Sequence, residues 1–291
     1  MRYHELVTEN FTKIELLGLS GDALRKAQAL IDQMSAIKQQ QILIAQQRRE
    51  VKSSLEKLGD PPSDPIKAEK LRTILDDDEI RQKMVGLIKE MNKLYDELRF
   101  LVQDNVNLSQ VMRKLQANCG QFLRDAKYAG RLLFRGKAGS RSLNTPSFVG
   151  DSIPDRRPTD LNKVIHDNLN RVMLGMGYTA TRGNSIMCTS DLEMAREYGS
   201  PYLIFPLNGF SFTWSTKTKD LYTDYFMNRT TWEDSIKYFD SEEDFIKNEL
   251  KLKQTDFISA LKSGHEIYIK GRYYALSLYY YKDLAQELDF T

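Results

Sequence analysis

The sequence predicts an α+β protein in two parts, a long helical hairpin or coiled coil followed by a domain with an antiparallel β core. Three observations carry that prediction. Residues 22–58 contain neither Pro nor Gly and are rich in Gln, Ala, Leu, Lys and Glu. Residues 66–128 space their apolar side chains three and four apart over many turns, the period of one helix face. Past Tyr128 that texture stops, and short β-branched and aromatic runs alternate with Gly and Pro, the pattern of strands and turns. The expected organisation is a lead segment over residues 1–20, a helical part over 21–128 and a globular domain over 129–291.

The lead holds Leu6, Phe11, Ile14, Leu16, Leu17 and Leu19 without clear periodicity. It is expected to dock on the protein's own helices or on a partner. Leu24, Ala27, Ile31 and Met34 open the first helix, and the stripe then shifts to Ile37, Ile44, Val51, Leu55 and Leu58. The run Gly59-Asp-Pro-Pro-Ser-Asp-Pro65 ends it, because proline lacks the amide hydrogen a helix interior needs. In the second helix Met84, Leu87, Met91, Leu94, Leu98, Leu101, Asn105, Leu108, Met112, Leu115, Cys119 and Phe122 alternate without interruption. Such a run argues for a coiled-coil seam. Two arrangements compete: a hairpin closed across the proline loop, and self-association through a Leu-rich seam carrying one Asn.

In the globular part, 131–136 is expected as a short strand and 137–158 as a long polar loop. Residues 159–176 have helical spacing, with Thr159 as the cap. Ile186 and Met187 form a short strand, then Cys188-Thr189-Ser190 turns into a helix ending at Gly199. Ser190 with Glu193 has capping-box spacing. Residues 201–207 read as a strand, with 210–213 as its hairpin partner or a neighbour. Helical stretches follow at 232–238, 241–251 and 255–262. Residues 264–271 and 272–281 read as two alternating strands joined by a tight Lys-Gly turn.

Composition narrows the function classes. Net charge is +2 over 291 residues, so nothing global demands nucleic acid or an anionic membrane. No apolar run approaches the roughly 20 residues of a membrane span, and the first residues carry no signal-peptide pattern. The two cysteines lie far apart, which argues against a disulfide framework and fits a reducing compartment. With three scattered histidines they offer no metal-ligand spacing. Loop residues Arg141, Arg156 and Arg157 read as solvated charges, with phosphate or nucleic acid as the alternative.

Three short motifs fall at predicted strand ends: Phe134-Arg135-Gly136, Cys188-Thr189-Ser190 and Gly264-His265-Glu266-Ile-Tyr-Ile269. Their order resembles the mono-ADP-ribosyltransferases of the arginine-serine-glutamate class over residues 128–291. That family places an aromatic-Arg-Gly on its first strand, a Ser-Thr-Ser before a helix, and a catalytic Glu opening a later strand. Asn144-Thr145-Pro146, Arg182 and Ser185 before the second motif, and Ala195 through Tyr198-Gly199 also look like ADP-ribosyltransferase-like proteins of tailed bacteriophages.

The resemblance implies NAD as substrate, with Arg135 and Gly136 on its phosphates. It implies Cys188, Thr189 and Ser190 shaping the site, Tyr198, Phe210 and Trp214 facing the nicotinamide, and Glu266 catalytic. It also implies a virion or host-cytoplasm location, a host protein as acceptor, and assembly with itself or with virion proteins through the helical arm. Two departures stand out: Cys188 replaces the first Ser, and Gly264 replaces the acidic or Gln residue two before the Glu. The alternative is a catalytically degenerate building block of a phage virion that works through its coiled coil.

Overall fold

The computed structural model describes residues 13–14, 16, 18–58, 62–75, 78–137, 146–156, 161–229 and 231–288. Most of the lead segment, Arg141, Asn144, Thr145, Arg157 and Thr159 lie outside them. The chain is α+β and divides into two compact units, one formed around Ser20–Asn105 and the other around Val106–Gly139 and Asn144–Thr291, the latter including the described residues before Ser20. Among the described residues no helix is long and apolar enough to cross a membrane.

The first unit is helical. Helix α1 (Gly21–Glu56) folds back on α2 (Pro65–Leu75) and α3 (Asp78–Asn105). Pro65 opens α2, where its missing amide hydrogen costs nothing, and the Asp64 carboxylate accepts from the Lys67 amide at 2.9 Å. The Arg48 side chain of α1 reaches the Leu75 carbonyl at the end of α2 at 3.0 Å. Burial is one-sided: Ala27, Ile31, Met34, Ile37 and Ile44 on α1, and Leu87, Met91, Leu94, Leu98 and Val102 on α3. Each fully buried aliphatic side chain contributes about 1.5–3 kcal/mol.

The seam differs from expectation at its far end. Val102, not Leu101, is the buried residue there, the drift of a straight 3.6-residue helix rather than a strict heptad. Asn105 is exposed, and its amide nitrogen bonds the Leu101 carbonyl. It ends α3 rather than occupying a core position. The single helix expected over 66–128 is four helices, because α4 (Leu108–Asn118) and α5 (Gly120–Ala129) are separate pieces of the second unit. Asn107 caps α4 by accepting from the Gln110 amide at 2.9 Å, and Asn107 itself donates to the Gly18 carbonyl at 2.9 Å. Leu16 and Leu19 are buried. The described end of the lead segment therefore docks within its own unit.

Two antiparallel sheets make the core of the second unit. The strands are β1 (Lys13–Ile14), β2 (Phe134–Lys137), β3 (Ser147–Asp151), β4 (Ile186–Cys188), β5 (Ser200–Pro206), β6 (Ser211–Ser215), β7 (Leu252–Lys253), β8 (Ile267–Lys270) and β9 (Arg272–Ser277). One sheet runs β1-β3-β9-β5-β2, the other β4-β8-β6-β7. Strand β3 lies inside the stretch expected to be a polar loop. Strands β5 and β6 are not a hairpin, nor are β8 and β9: each pair passes from one sheet to the other. Gly271 makes the second corner at φ +125, a conformation that favours glycine.

Helices α4 and α5 cover the first sheet. Phe122 stacks edge-on against Phe205 and Phe257 with centroids 5.8 and 6.2 Å apart, and Cys119 is buried against the Phe205 carbonyl. Helix α6 (Lys163–Gly175) buries Ile165, Leu169, Val172 and Met173 in a cluster with Phe226, Trp232, Phe245 and Leu252. Asn162, within the range expected to be helical, is its cap. Helix α7 (Leu192–Glu197), a π-helical turn at Tyr222–Phe226, α8 (Trp232–Ile236), α9 (Glu242–Asp244) running on as π-helix through Glu249, α10 (Phe257–Ser263) and α11 (Lys282–Glu287) complete the unit.

Candidate active site

Strand β4 joins the three motifs. Along its length it pairs with β8, setting Cys188 opposite Ile267. One residue later Thr189 exchanges both backbone hydrogen bonds with Phe134, at 2.7 and 2.9 Å. Arg135 and Glu266 are the next residues along those two partners, so a three-residue strand brings together positions 131 apart in the chain. The Cys188 thiol lies within the electrostatic reach of both Arg135 and Glu266. Burial pushes that thiol up to about 12, so it is a neutral packing group and not a nucleophile.

The Cys-Thr-Ser turn holds the segment that carries Glu266. The Thr189 hydroxyl donates to the Gly264 carbonyl at 2.8 Å and accepts from the Asp191 amide at 3.0 Å. The Ser190 hydroxyl donates to the Leu261 carbonyl. Ser190 is buried and does not cap α7. Asp191 does, accepting from the Glu193 and Met194 amides. An ionised carboxylate at that position satisfies two free amides and complements the helix dipole. Gly264 ends α10 at φ +71, which gives a local reason for glycine where the resembled family carries a side chain.

Gly136 has a packing role. A Cβ placed there would stand 1.9 Å from the Ala195 carbonyl oxygen, so glycine is what lets α7 lie against β2. Tyr198 follows α7, is 41% exposed and donates its hydroxyl to Asp220. Of the other two aromatics expected at the site, Trp214 lines a small pocket with Glu266. Phe210 does not reach it: its ring stacks on Phe257 at 5.1 Å in the core.

Glu266 is held from several sides. Its side chain is 11% exposed and that of Arg182 6%, with Nη1 to Oε2 at 3.4 Å. The Tyr268 hydroxyl donates to the same oxygen at 3.3 Å. The Glu266 amide donates to the Lys219 carbonyl at 2.8 Å. Burial raises the carboxyl above its ordinary value, while Arg182 opposes the shift. For Arg182 burial works toward a lower value, but Glu266 and Tyr268 outweigh it, so its shift is also upward.

Arg156, expected to be a solvated loop charge, is part of this cluster. Its guanidinium is pushed down to about 10 by burial, then by Arg135 and Arg182. Its amide donates to the Gly183 carbonyl at 2.7 Å and Nη1 contacts the Met187 sulfur at 3.1 Å. His166 is buried beside it and pushed down to about 4 by burial and by Arg182. No local pattern marks Arg156, because its position depends on the strand hidden in the polar stretch before it. His166 shows only as one more position on a helix face.

Two pockets lie at these groups. One is lined by Glu266, Tyr268 and Trp214, the other by Arg135, Lys137 and Tyr202, and each has room for about one water. The guanidinium groups suit an anionic ligand in charge, but neither pocket has room for a dinucleotide. No cluster of three or more His, Cys, Asp or Glu side chains suited to a metal occurs among the described residues. Comparison with protein families, characterised proteins and solved structures finds no match for this chain.

Proposed function

We propose that the second unit is an NAD-dependent mono-ADP-ribosyltransferase, carried by a phage and associated with its virion, in which Glu266 is the catalytic carboxylate. The observation that carries this reading is the meeting of three distant segments at β4, where Cys188 pairs with Ile267, the residue after Glu266, and Thr189 bridges to Phe134, the residue before Arg135. In this reading Glu266 accepts a hydroxyl of the nicotinamide ribose and stabilises the positive charge that develops as nicotinamide leaves. Arg135 and Gly136 lie along the phosphates, and Tyr198 stands at the rim. Thr189 and Ser190 are positioning residues, since their hydroxyls bond the backbone leading to Glu266. The acceptor is a host protein, and the helical unit anchors the enzyme to itself or to virion proteins.

The test is release of labelled nicotinamide from NAD by the whole chain and by Glu266→Ala. The expected result is turnover by the wild type and a loss of roughly 10²–10⁴-fold in the variant. The same low background from both defeats the enzymatic reading. A second reading, a degenerate structural protein of the virion, is favoured by one observation: the Glu266 side chain is 11% exposed and ion-paired. Sedimentation of the whole chain addresses assembly, and a strict monomer removes self-association through the helices.

A further inference from the structure

The cluster around Glu266 contains more unmet hydrogen-bonding capacity than a finished core holds. Arg182 Nε is buried with no hydrogen-bond partner among the described residues, and so is His166 Nδ1. Arg182 and His166 are only 5% and 3% exposed. Buried polar atoms are nearly always partnered, so two such nitrogens in one cluster leave hydrogen-bonding capacity for a polar ligand. The only side-chain acceptor that Arg156 meets among the described residues is the Met187 thioether, and sulfur is a weak acceptor. Arg182 meets Glu266 at 3.4 Å, well beyond the roughly 2.7–2.9 Å of a strong charge-assisted bond.

The two cations stand on a fixed frame. Arg156 donates its amide to Gly183, the residue after Arg182, at 2.7 Å. The Asn170 side chain accepts from the Gly183 amide at 2.7 Å, and Asn184 accepts from the Thr181 amide at 2.8 Å. This bracing fixes the backbone that carries the two arginines before any ligand arrives, and preorganisation lowers the entropic cost of binding.

We propose that Arg156 and Arg182 form an anion site for a phosphoryl or pyrophosphate group, and that the anion takes Arg182 away from Glu266. Two guanidinium forks match the several oxygens of a phosphate better than the single Glu266 oxygen now offered to Arg182. Loss of Arg182 frees the carboxylate, so binding of the anion uncovers the group that the proposed reaction needs. The proposal rests on the transferase reading only for the identity of the anion as a dinucleotide pyrophosphate. The site itself does not require turnover.

The experiment is calorimetric titration of the whole chain with pyrophosphate, ADP-ribose and inorganic phosphate, each against sodium chloride at equal ionic strength. Wild type is expected to bind pyrophosphate, with R156Q and R182Q at least tenfold weaker. E266Q is expected to bind severalfold more tightly, because the competitor for Arg182 loses its charge. Equal binding of phosphate and pyrophosphate assigns a single phosphoryl group, and preference for pyrophosphate and ADP-ribose assigns the dinucleotide moiety. No binding by wild type, unchanged binding in R156Q, or weaker binding by E266Q overturns the proposal. Should R182Q fail to fold by circular dichroism, R156Q carries the test, since Arg156 is only partly buried. Anion binding without NAD turnover keeps this site and removes the transferase.

Discussion

The helical unit and the sheet unit bury their side chains by different rules. In α3 the buried residues Leu87, Met91, Leu94, Leu98 and Val102 follow one another at helical spacing, so each is set by its near neighbours. At the candidate site Arg135, Arg156, Arg182, Cys188 and Glu266 come from four stretches of chain, with only Arg182 and Cys188 close in sequence. Arg135 and Glu266 meet because β4 pairs with β8 and Thr189 bridges to Phe134, and Arg156 joins through its backbone bond to Gly183. A local pattern tolerates local change, whereas a convergent site depends on every contact that holds its segments together. The sheet unit should therefore respond to single substitutions far more sharply than the helical one.

Two glycines frame that contrast. Gly136→Ala puts a Cβ 1.9 Å from a backbone carbonyl, and α7 must separate from β2. Denaturant unfolding should show a loss of about 3–5 kcal/mol. A loss under 1 kcal/mol would mean that α7 does not depend on this approach, and the two units would then look alike. Arg182→Gln comes next, with a loss of about 3 kcal/mol at neutral pH, because it leaves Glu266 buried without its counter-ion.

The sign of its pH dependence follows from the raised Glu266 value. A carboxyl whose folded pKa lies above the unfolded one costs stability as pH rises past the unfolded value. The deficit of Arg182→Gln should therefore shrink as pH falls toward 4.5, the ordinary value of a glutamate carboxyl. An equal deficit at pH 5 and pH 8 would show that the ion pair is not its cause.

His166 gives a third effect of similar size. Its folded pKa is lowered to about 4 from 6.5. The stability it contributes is present above 6.5 and is lost as pH falls through that window, by about 3 kcal/mol in all. Unfolding free energies measured from pH 7 to pH 4 should show this slope, and His166→Leu should flatten it. The smallest effect lies in the other unit. A Cβ at Gly86 in α3 meets nothing within 4 Å, so Gly86→Ala should stabilise by about 0.5–1 kcal/mol. Destabilisation there would show that α3 is packed on a face with no neighbour among the described residues.

Legibility followed the same division. The start of α1, the proline break and the stripe on α3 were readable because the 3.6-residue period is written in adjacent turns. The interruption between α3 and α4 was not, because Val106 and Asn107 barely disturb the apolar spacing. What breaks the helix there is Asn107, capping α4 and bonding to Gly18. Strand β3 was hidden because Ser147-Phe-Val-Gly-Asp151 is short and sits among Pro, Gly and Ser. Arg135, Cys188 and Glu266 could be selected by motif order, whereas Arg156 stood out only as one of three loop arginines and His166 not at all, since neither has a sequence neighbour that marks it.

The sequence by itself determined two unlike parts, the helical stripes and the short strand-end motifs, since each of those is a property of neighbouring residues. Only the tertiary structure decided that Thr189 bridges to Phe134, that β8 and β9 belong to different sheets, and that Arg182 covers Glu266. The physical reason is that sheet pairing and ion pairing act across space. A backbone hydrogen bond or a buried charge selects whichever partner the fold brings within about 3 Å, however far apart the two lie along the chain.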